Sequence, residues 1–278
     1  MPTDAPVDAT PVDSSVDTLP ADSIVSRVLT CDPVVAFTGS SAIVVAEPAI
    51  SLDGLTLLRG EPTAYTFSGR TTLTKPFGLW ARYADPWSAT TDKEDTTFFS
   101  QPDGVHAMVA KRVSMRTIFH CPPSQATCEQ INLYHRVGGA VLDSGADVDG
   151  PSVSDALELI FNYVKGASWI YRATPRDASL RDWDAEVLFS EVDGARLDDP
   201  AITRDGSLVV VADFRPTVSR LGYAFRNIDG SYGLLKWLEG LGLGSPIGNP
   251  EVYRHPDGSY ELFIRDYEVP GLYSTRCR

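Results

Sequence analysis

Apolar and polar positions follow one plan five times along the chain. A short apolar run leads into a polar turn, and a second, more apolar run follows it. The copies are EPAISLDGLTLL from Glu47, DTTFFSQPDGVHAMVA from Asp95, DGPSVSDALELIF from Asp149, DDPAITRDGSLVVVA from Asp198 and GNPEVYRHPDGSYELFI from Gly248. They align on the turn residues Asp53, Asp103, Asp155, Asp205 and Asp257, spaced 50, 52, 50 and 52 residues apart. Four of the turns are Asp-Gly, which supplies the positive backbone angles of a tight hairpin, and the third is Asp155-Ala156. Each unit therefore predicts two antiparallel strands. A third strand is expected at Trp80, Tyr134, Tyr171, Tyr223 and Tyr273, and a weaker fourth at AEVLFSEV and LLKWLEGL.

Four antiparallel strands repeated five times predict an all-β chain folded as a single five-bladed β-propeller. The fifth unit ends after its third strand, so its outermost strand must come from the amino end, within Ser26 to Val45. Such closure leaves no open sheet edge. It also brings Cys31 beside Cys277, while Cys121 and Cys128 flank the short loop CPPSQATC, a spacing that suits a local disulfide better than zinc. Two bridges without a leftover thiol point to an oxidising compartment.

The first 23 residues carry five Asp, no basic residue and no aromatic, and read as a disordered acidic tether ahead of a propeller spanning 24–278. The whole 278-residue chain has net charge −13, and the part after the tether is still −8. An acidic body disfavours nucleic acid as a partner. No apolar stretch is long enough to cross a bilayer, and the acidic leader resembles the spacer of exported proteins or lipoproteins. A secreted or envelope-held monomer is expected, periplasmic or lipid-anchored.

The units PSVSDALELIF and PAITRDGSLVVVADFRP resemble the TolB-type, WD40-like propeller repeat. That resemblance implies the propeller fold from about Ala46 onward and leaves function open.

In a propeller the first strand of each blade lines the central channel, so its start and the second hairpin share one face, here called the mouth. Glu47, Asp95, Asp149, Asp199 and Asn249 are expected to converge there, Asp149 less securely because Gly150 competes for its register. Arg59, Arg112, Lys165, Arg215 and Arg265 are expected on the surrounding rim. The long stretches between turn and aromatic in the first two blades are expected to overhang the mouth as lids, carrying Tyr65, Phe67, Arg70, Phe77 and the Cys121–Cys128 loop.

Carboxylates converging on an axis cannot all stay ionised. A divalent cation, most naturally calcium, would neutralise them and polarise an ester, lactone or phosphoester, with Glu47, Asp95, Asp149, Asp199 and Asn249 as ligands. This mixture resembles the central calcium site of propeller hydrolases of the paraoxonase and senescence-marker type. Alternatively, one protonated carboxyl and one carboxylate would divide acid and base roles, as in arabinanase-type five-bladed glycosidases, with Glu47, Asp95 and Asp199 as the catalytic candidates. A non-catalytic exported module binding a saccharide, peptide or protein is the third reading. Beside all three stands a purely structural role for acids and arginines that recur in each blade. Arg59, Arg112, Arg215, Arg265 and His106 are the expected substrate contacts. No Gly-x-Ser-x-Gly elbow, phosphate loop or dinucleotide fingerprint is present.

Overall fold

A computed structural model describes residues 27–37, 48–61, 64–79, 81–83, 93–112, 115–142, 145–190, 194–215, 218–243, 246–268 and 271–278. The described chain is all-β and forms five small sheets arranged as a five-bladed propeller. The acidic tether, residues 1–23, and Glu47 lie outside the described residues.

Blade 1 consists of β2 (Pro48–Ile50), β3 (Thr56–Glu61), β4 (Ala64–Gly69) and β5 (Ala81–Tyr83). Blade 2 consists of β6 (Lys93–Gln101), β7 (Gly104–Arg112), β8 (Arg116–Cys121) and β9 (Glu129–Gln130). Blade 3 is built from β11 (Asp147–Val153), β12 (Leu159–Lys165), β13 (Ala167–Pro175) and β14 (Asp182–Phe189), with β10 (Asn132–His135) added in parallel beside β14. Blade 4 holds β15 (Leu197–Ile202), β16 (Leu208–Arg215), β17 (Val218–Phe225) and β18 (Lys236–Trp237). Blade 5 holds β19 (Ile247–Arg254), β20 (Tyr260–Asp266) and β21 (Gly271–Cys277), and its outermost strand is β1 (Val35–Ala36).

The expected closure is present. Val35 and Ala36 pair antiparallel with Ser274 and Tyr273, and the Cys31–Cys277 disulfide lies at the same edge. The inner strands β2, β6, β11, β15 and β19 neighbour one another around the channel, and β19 returns to β2. Second strands are sandwiched between blades, so β16 buries six consecutive residues, Leu208 to Asp213. That explains why LVVVAD shows no alternation. Core side chains interleave between adjacent blades: Phe161 and Trp183 of blade 3 pack in one cluster with Phe99, Met108 and Ile118 of blade 2.

The Asp turns are built alike. Asp53, Asp205 and Asp257 each accept a hydrogen bond from the backbone N–H two residues on, at 2.9, 3.1 and 3.0 Å. Gly54 adopts φ 70°, and a Cβ there would come within 2.5 Å of the Tyr253 ring, whose hydroxyl donates to the Asp53 carbonyl at 3.2 Å. Only glycine permits this close approach of blade 5 to blade 1.

Two expectations need correction. Tyr134 lies on β10, at the outer edge of blade 3, and Trp80 falls outside the described residues. The third strands of blades 1 and 2 are β4 and β8, marked by the nearer aromatics Tyr65, Phe67 and Phe119. The residues expected as lids follow from this. Tyr65 and Phe67 belong to β4 itself, while Arg70 donates to the Gly54 carbonyl at 2.8 Å and pairs with Glu261, stacking 4.4 Å from Phe77. The Cys121–Cys128 loop joins β8 to β9, with Pro123 packed on Gly104. Arg70, Phe77 and this loop sit on the turn face, opposite the mouth, because a third strand ends where the blade's first turn lies.

Both disulfides close loops, of very different size: the sequence separations are 246 and 7 residues. Removing Cys31–Cys277 by paired Ser substitution is predicted to cost about 3 kcal/mol more than removing Cys121–Cys128, on chain-entropy grounds. Denaturant unfolding of the two double variants checks this.

Candidate functional site at the channel mouth

An inner strand has a sheet partner on one side only, so the N–H groups on its channel side need other acceptors. The preceding blade supplies them. Asp95 of blade 2 accepts from Gly150 of blade 3 at 3.1 Å, and Ser152 of blade 3 accepts from Ile202 of blade 4 at 3.0 Å. Asp199 of blade 4 accepts from Asn249 of blade 5 at 3.2 Å, and Glu251 of blade 5 accepts from Ile50 of blade 1.

The geometry depends on a bulge repeated in β6, β11, β15 and β19, where the ladder to the second strand skips two residues. The bulges contain Glu94 and Asp95, Gly150 and Pro151, Asp199 and Pro200, and Asn249 and Pro250. Gly150, Asp199 and Asn249 all have positive φ, at 55°, 43° and 47°. A non-glycine residue adopts this region at a cost and is found where the surroundings hold it there. The register also separates the expected acidic ring into different levels. Asp199 and Asn249 are equivalent; Asp95 stands one residue later, in the place of the prolines; Asp149 stands one residue earlier and is equivalent to Asp198.

Asp149 and Asp198 form the centre of the site. Asp149, 2% exposed, is ion-paired through Oδ2 with Arg116 at the start of β8, and its Oδ1 is buried without a hydrogen-bond partner among the described residues. Asp198 is partly exposed. It accepts from the side-chain amide of Asn162, on the preceding blade, and from the Asp199 N–H at 3.2 Å. Asp199 is also partly exposed at its surface, although its carboxyl sits deep enough that desolvation governs it.

Burial raises the Asp149 carboxyl above the usual carboxylate range, against the pull of the Arg116 guanidinium. Burial, then the neighbouring Asp149, pushes Asp198 up to about 6. Burial, then Asp198 and Asp149, holds Asp199 well above the ordinary value. The mouth thus places side by side two desolvated carboxyls, Asp199 raised well above the ordinary range and Asp198 raised to about 6, close enough to influence each other.

An aromatic pair borders the carboxyls. Phe214 and Tyr267, at equivalent positions of blades 4 and 5, meet edge-on with centroids 5.4 Å apart, and the Tyr267 hydroxyl donates to Asn249 Oδ1. A Cβ at Gly248 would stand 3.2 Å from the Tyr267 ring and 3.4 Å from Asp199 Oδ2, so glycine allows this packing. Arg265 lies over Tyr267, 4.1 Å from the ring centroid.

The remaining expected residues are placed differently. Arg59 and Arg112 lie on β3 and β7 towards the mouth, and Lys165 ends β12. Arg215 is paired with the fully buried Asp213. His106 is on the turn face, hydrogen-bonded to Asp103 and His120 at 2.7 Å each, and is not a mouth residue. Burial, then His106, lowers His120 to about 4.

Sequence reasoning missed Asp198, Arg116, Asn162, Phe214, Tyr267 and Glu251. Asp198 adjoins Asp199 in DDPAI and was readable there. Arg116 carried no signal, since it reaches the site from the third strand of the preceding blade.

The described members of the expected donor set, which leave out Glu47, are placed poorly for a metal ion. Among the described residues no three His, Cys, Asp or Glu side chains are gathered to hold one. The Arg116 guanidinium already supplies countercharge to Asp149, while Asp95 and Asp199 each spend an oxygen on a backbone N–H.

No protein-family model matches the chain, and no curated protein matches its sequence. Solved structures share the fold. A thermostable family-43 glycoside hydrolase aligns with TM-score 0.56 at 12% identity, covering 87% of this chain and 92% of that one. The GH43_1 enzyme from Xanthomonas citri complexed with xylose aligns with TM-score 0.55 at 12% identity, covering 86% and 87%. A putative TolB from Agrobacterium tumefaciens aligns with TM-score 0.49 at 14% identity, covering 83% and 80%.

Raised carboxyl pKa values make the folded state hold protons that the unfolded chain has released. Their neutral form is favoured by folding, so stability is greatest below the unfolded value near 4 and falls as pH rises through about 6, where Asp198 ionises in the folded state. Asp198→Asn and Asp199→Asn are therefore each predicted to raise Tm by roughly 3 °C at pH 8, with the gain vanishing near pH 4. Calorimetric melts across pH read this out.

Proposed function

We propose that the protein is an exported, metal-independent hydrolase of saccharides that works through the mouth carboxyls Asp198 and Asp199. The observation carrying this reading is a pair of neighbouring desolvated carboxyls, Asp199 raised well above the ordinary range and Asp198 raised to about 6. Glycoside hydrolases among the structures sharing this fold agree with it, and the two disulfides suit an oxidising compartment.

In this mechanism Asp199 gives its proton to the glycosidic oxygen as that bond breaks. Asp198, ionised above about pH 6, takes a proton from the water whose oxygen bonds to the anomeric carbon. The proton passed from Asp198 then restores Asp199, and the cycle closes. Asn162 and the Asp199 N–H hold one oxygen of Asp198, leaving the other for water. Asp149 acts through its charge, which helps set the Asp198 value, and Arg116 positions Asp149.

Hydrolysis of a panel of aryl glycosides and plant oligosaccharides is predicted to survive a chelator and to fall below about pH 6, following Asp198. Asp198→Asn and Asp199→Asn should each lower kcat by about 100- to 10,000-fold while saccharide binding persists. Loss of activity with chelator and recovery with calcium would instead restore the metal reading. Binding without turnover across the panel would leave a saccharide-binding propeller.

A further inference from the structure

The five-fold repeat allows equivalent positions to be compared around the mouth. Directly opposite the residue that precedes the bulge, blade 2 carries Lys111, blade 3 carries Asn162, blade 4 carries Ala212 and blade 5 carries Arg265. Asn162 is committed to Asp198. Arg265 has no carboxylate partner among the described residues, although most arginines of this acidic protein are paired, as Arg215 is with Asp213 and Arg70 with Glu261. Its guanidinium lies over the Tyr267 ring, 4.1 Å away.

That contact fixes the guanidinium. Tyr267 is held at its hydroxyl by the buried Asn249 and at its edge by Phe214, so Arg265 rests on a braced platform. A planar guanidinium stacked on an aromatic ring keeps its N–H donors in the ring's plane direction and available to a bidentate acceptor. Asp199, joined to this platform through Asn249 and Gly248, has its carboxyl raised well above the ordinary range by burial, which lessens the negative charge it presents to an anion there.

We infer that the saccharide taken by the mouth bears a carboxylate, as a uronic acid unit does, and that Arg265 receives it. The inference rests on the saccharide reading above and specifies its substrate class. Arg265 is a specificity residue: it binds a group remote from the bond that breaks, and the acid and base remain Asp199 and Asp198.

The test is calorimetric binding of oligogalacturonate and of glucuronic acid-substituted xylo-oligosaccharide, each beside its methyl ester, at low and high salt, to the wild-type protein and to Arg265→Met. The expected result is a preference of about ten- to a hundredfold for at least one free acid over its ester, weakened by salt and abolished in Arg265→Met, whose melting temperature stays unchanged. Equal binding of acid and ester by the wild-type protein overturns the inference and leaves the saccharide reading standing. A preference that survives in Arg265→Met also overturns it. Binding of neither acid nor ester, nor of unsubstituted xylo-oligosaccharide, overturns the inference and the saccharide reading together. An oligosaccharide sulfate arm separates the carboxylate from other anions: tighter binding of the sulfate than of either free acid overturns the carboxylate assignment.

Discussion

The edge of an inner strand that faces the channel must find acceptors outside its own sheet, and this requirement organises the structure. A propeller removes the outer edge by closing the ring with β1, but each inner strand still presents backbone N–H groups inward. Here, at four of the five blade junctions, the preceding blade answers with a side-chain oxygen, from Asp95, Ser152, Asp199 and Glu251 in turn. An unmet buried N–H would cost about 1–3 kcal/mol. The acceptors therefore hold blade to blade and simultaneously place carboxyl groups around the channel, where burial raises Asp199 and Glu251 well above the ordinary carboxylate range.

Structural and chemical roles consequently overlap in the same residues. Asp199 stitches blade 4 to blade 5 through one oxygen while burial raises its carboxyl well above the ordinary range. Asp149 is countered by Arg116, and Asp198 is held by Asn162, so each of these carboxyls takes its partner from the blade before its own. Repetition builds the scaffold and departures from it make the site: glycine replaces a side chain at Gly150 and Gly248, arginine stands where another blade has alanine, and an aromatic pair borders only blades 4 and 5.

The repeat, the blade number and the closing strand were legible in the sequence because Asp-Gly turns at near-constant spacing are local signals, and a missing strand can be counted. Cys31 and Cys277 followed from the same count. The strand membership of Trp80 and Tyr134 was not legible, since aromatics also mark outer and added strands such as β10. Taking them as third strands lengthened two hairpins artificially and put lids on the wrong face. The mouth was legible only in part. Asp149, Asp199 and Asn249 were named, but a bulge shifts side-chain direction without a distinctive residue pattern, which hid the equivalence of Asp149 with Asp198. Arg116 and Tyr267 reach the site across blade boundaries, where no sequence spacing connects them.

The account depends most on the unequal ionisation of Asp198 and Asp199. Carbon-detected NMR titration of protein labelled at the aspartate carboxyls, with the two signals assigned by their loss in Asp198→Asn and Asp199→Asn, measures it directly. One signal titrating near 6 and the other raised well above the ordinary aspartate value is the predicted result. Two signals that both titrate near 4, the ordinary aspartate value, would contradict the account.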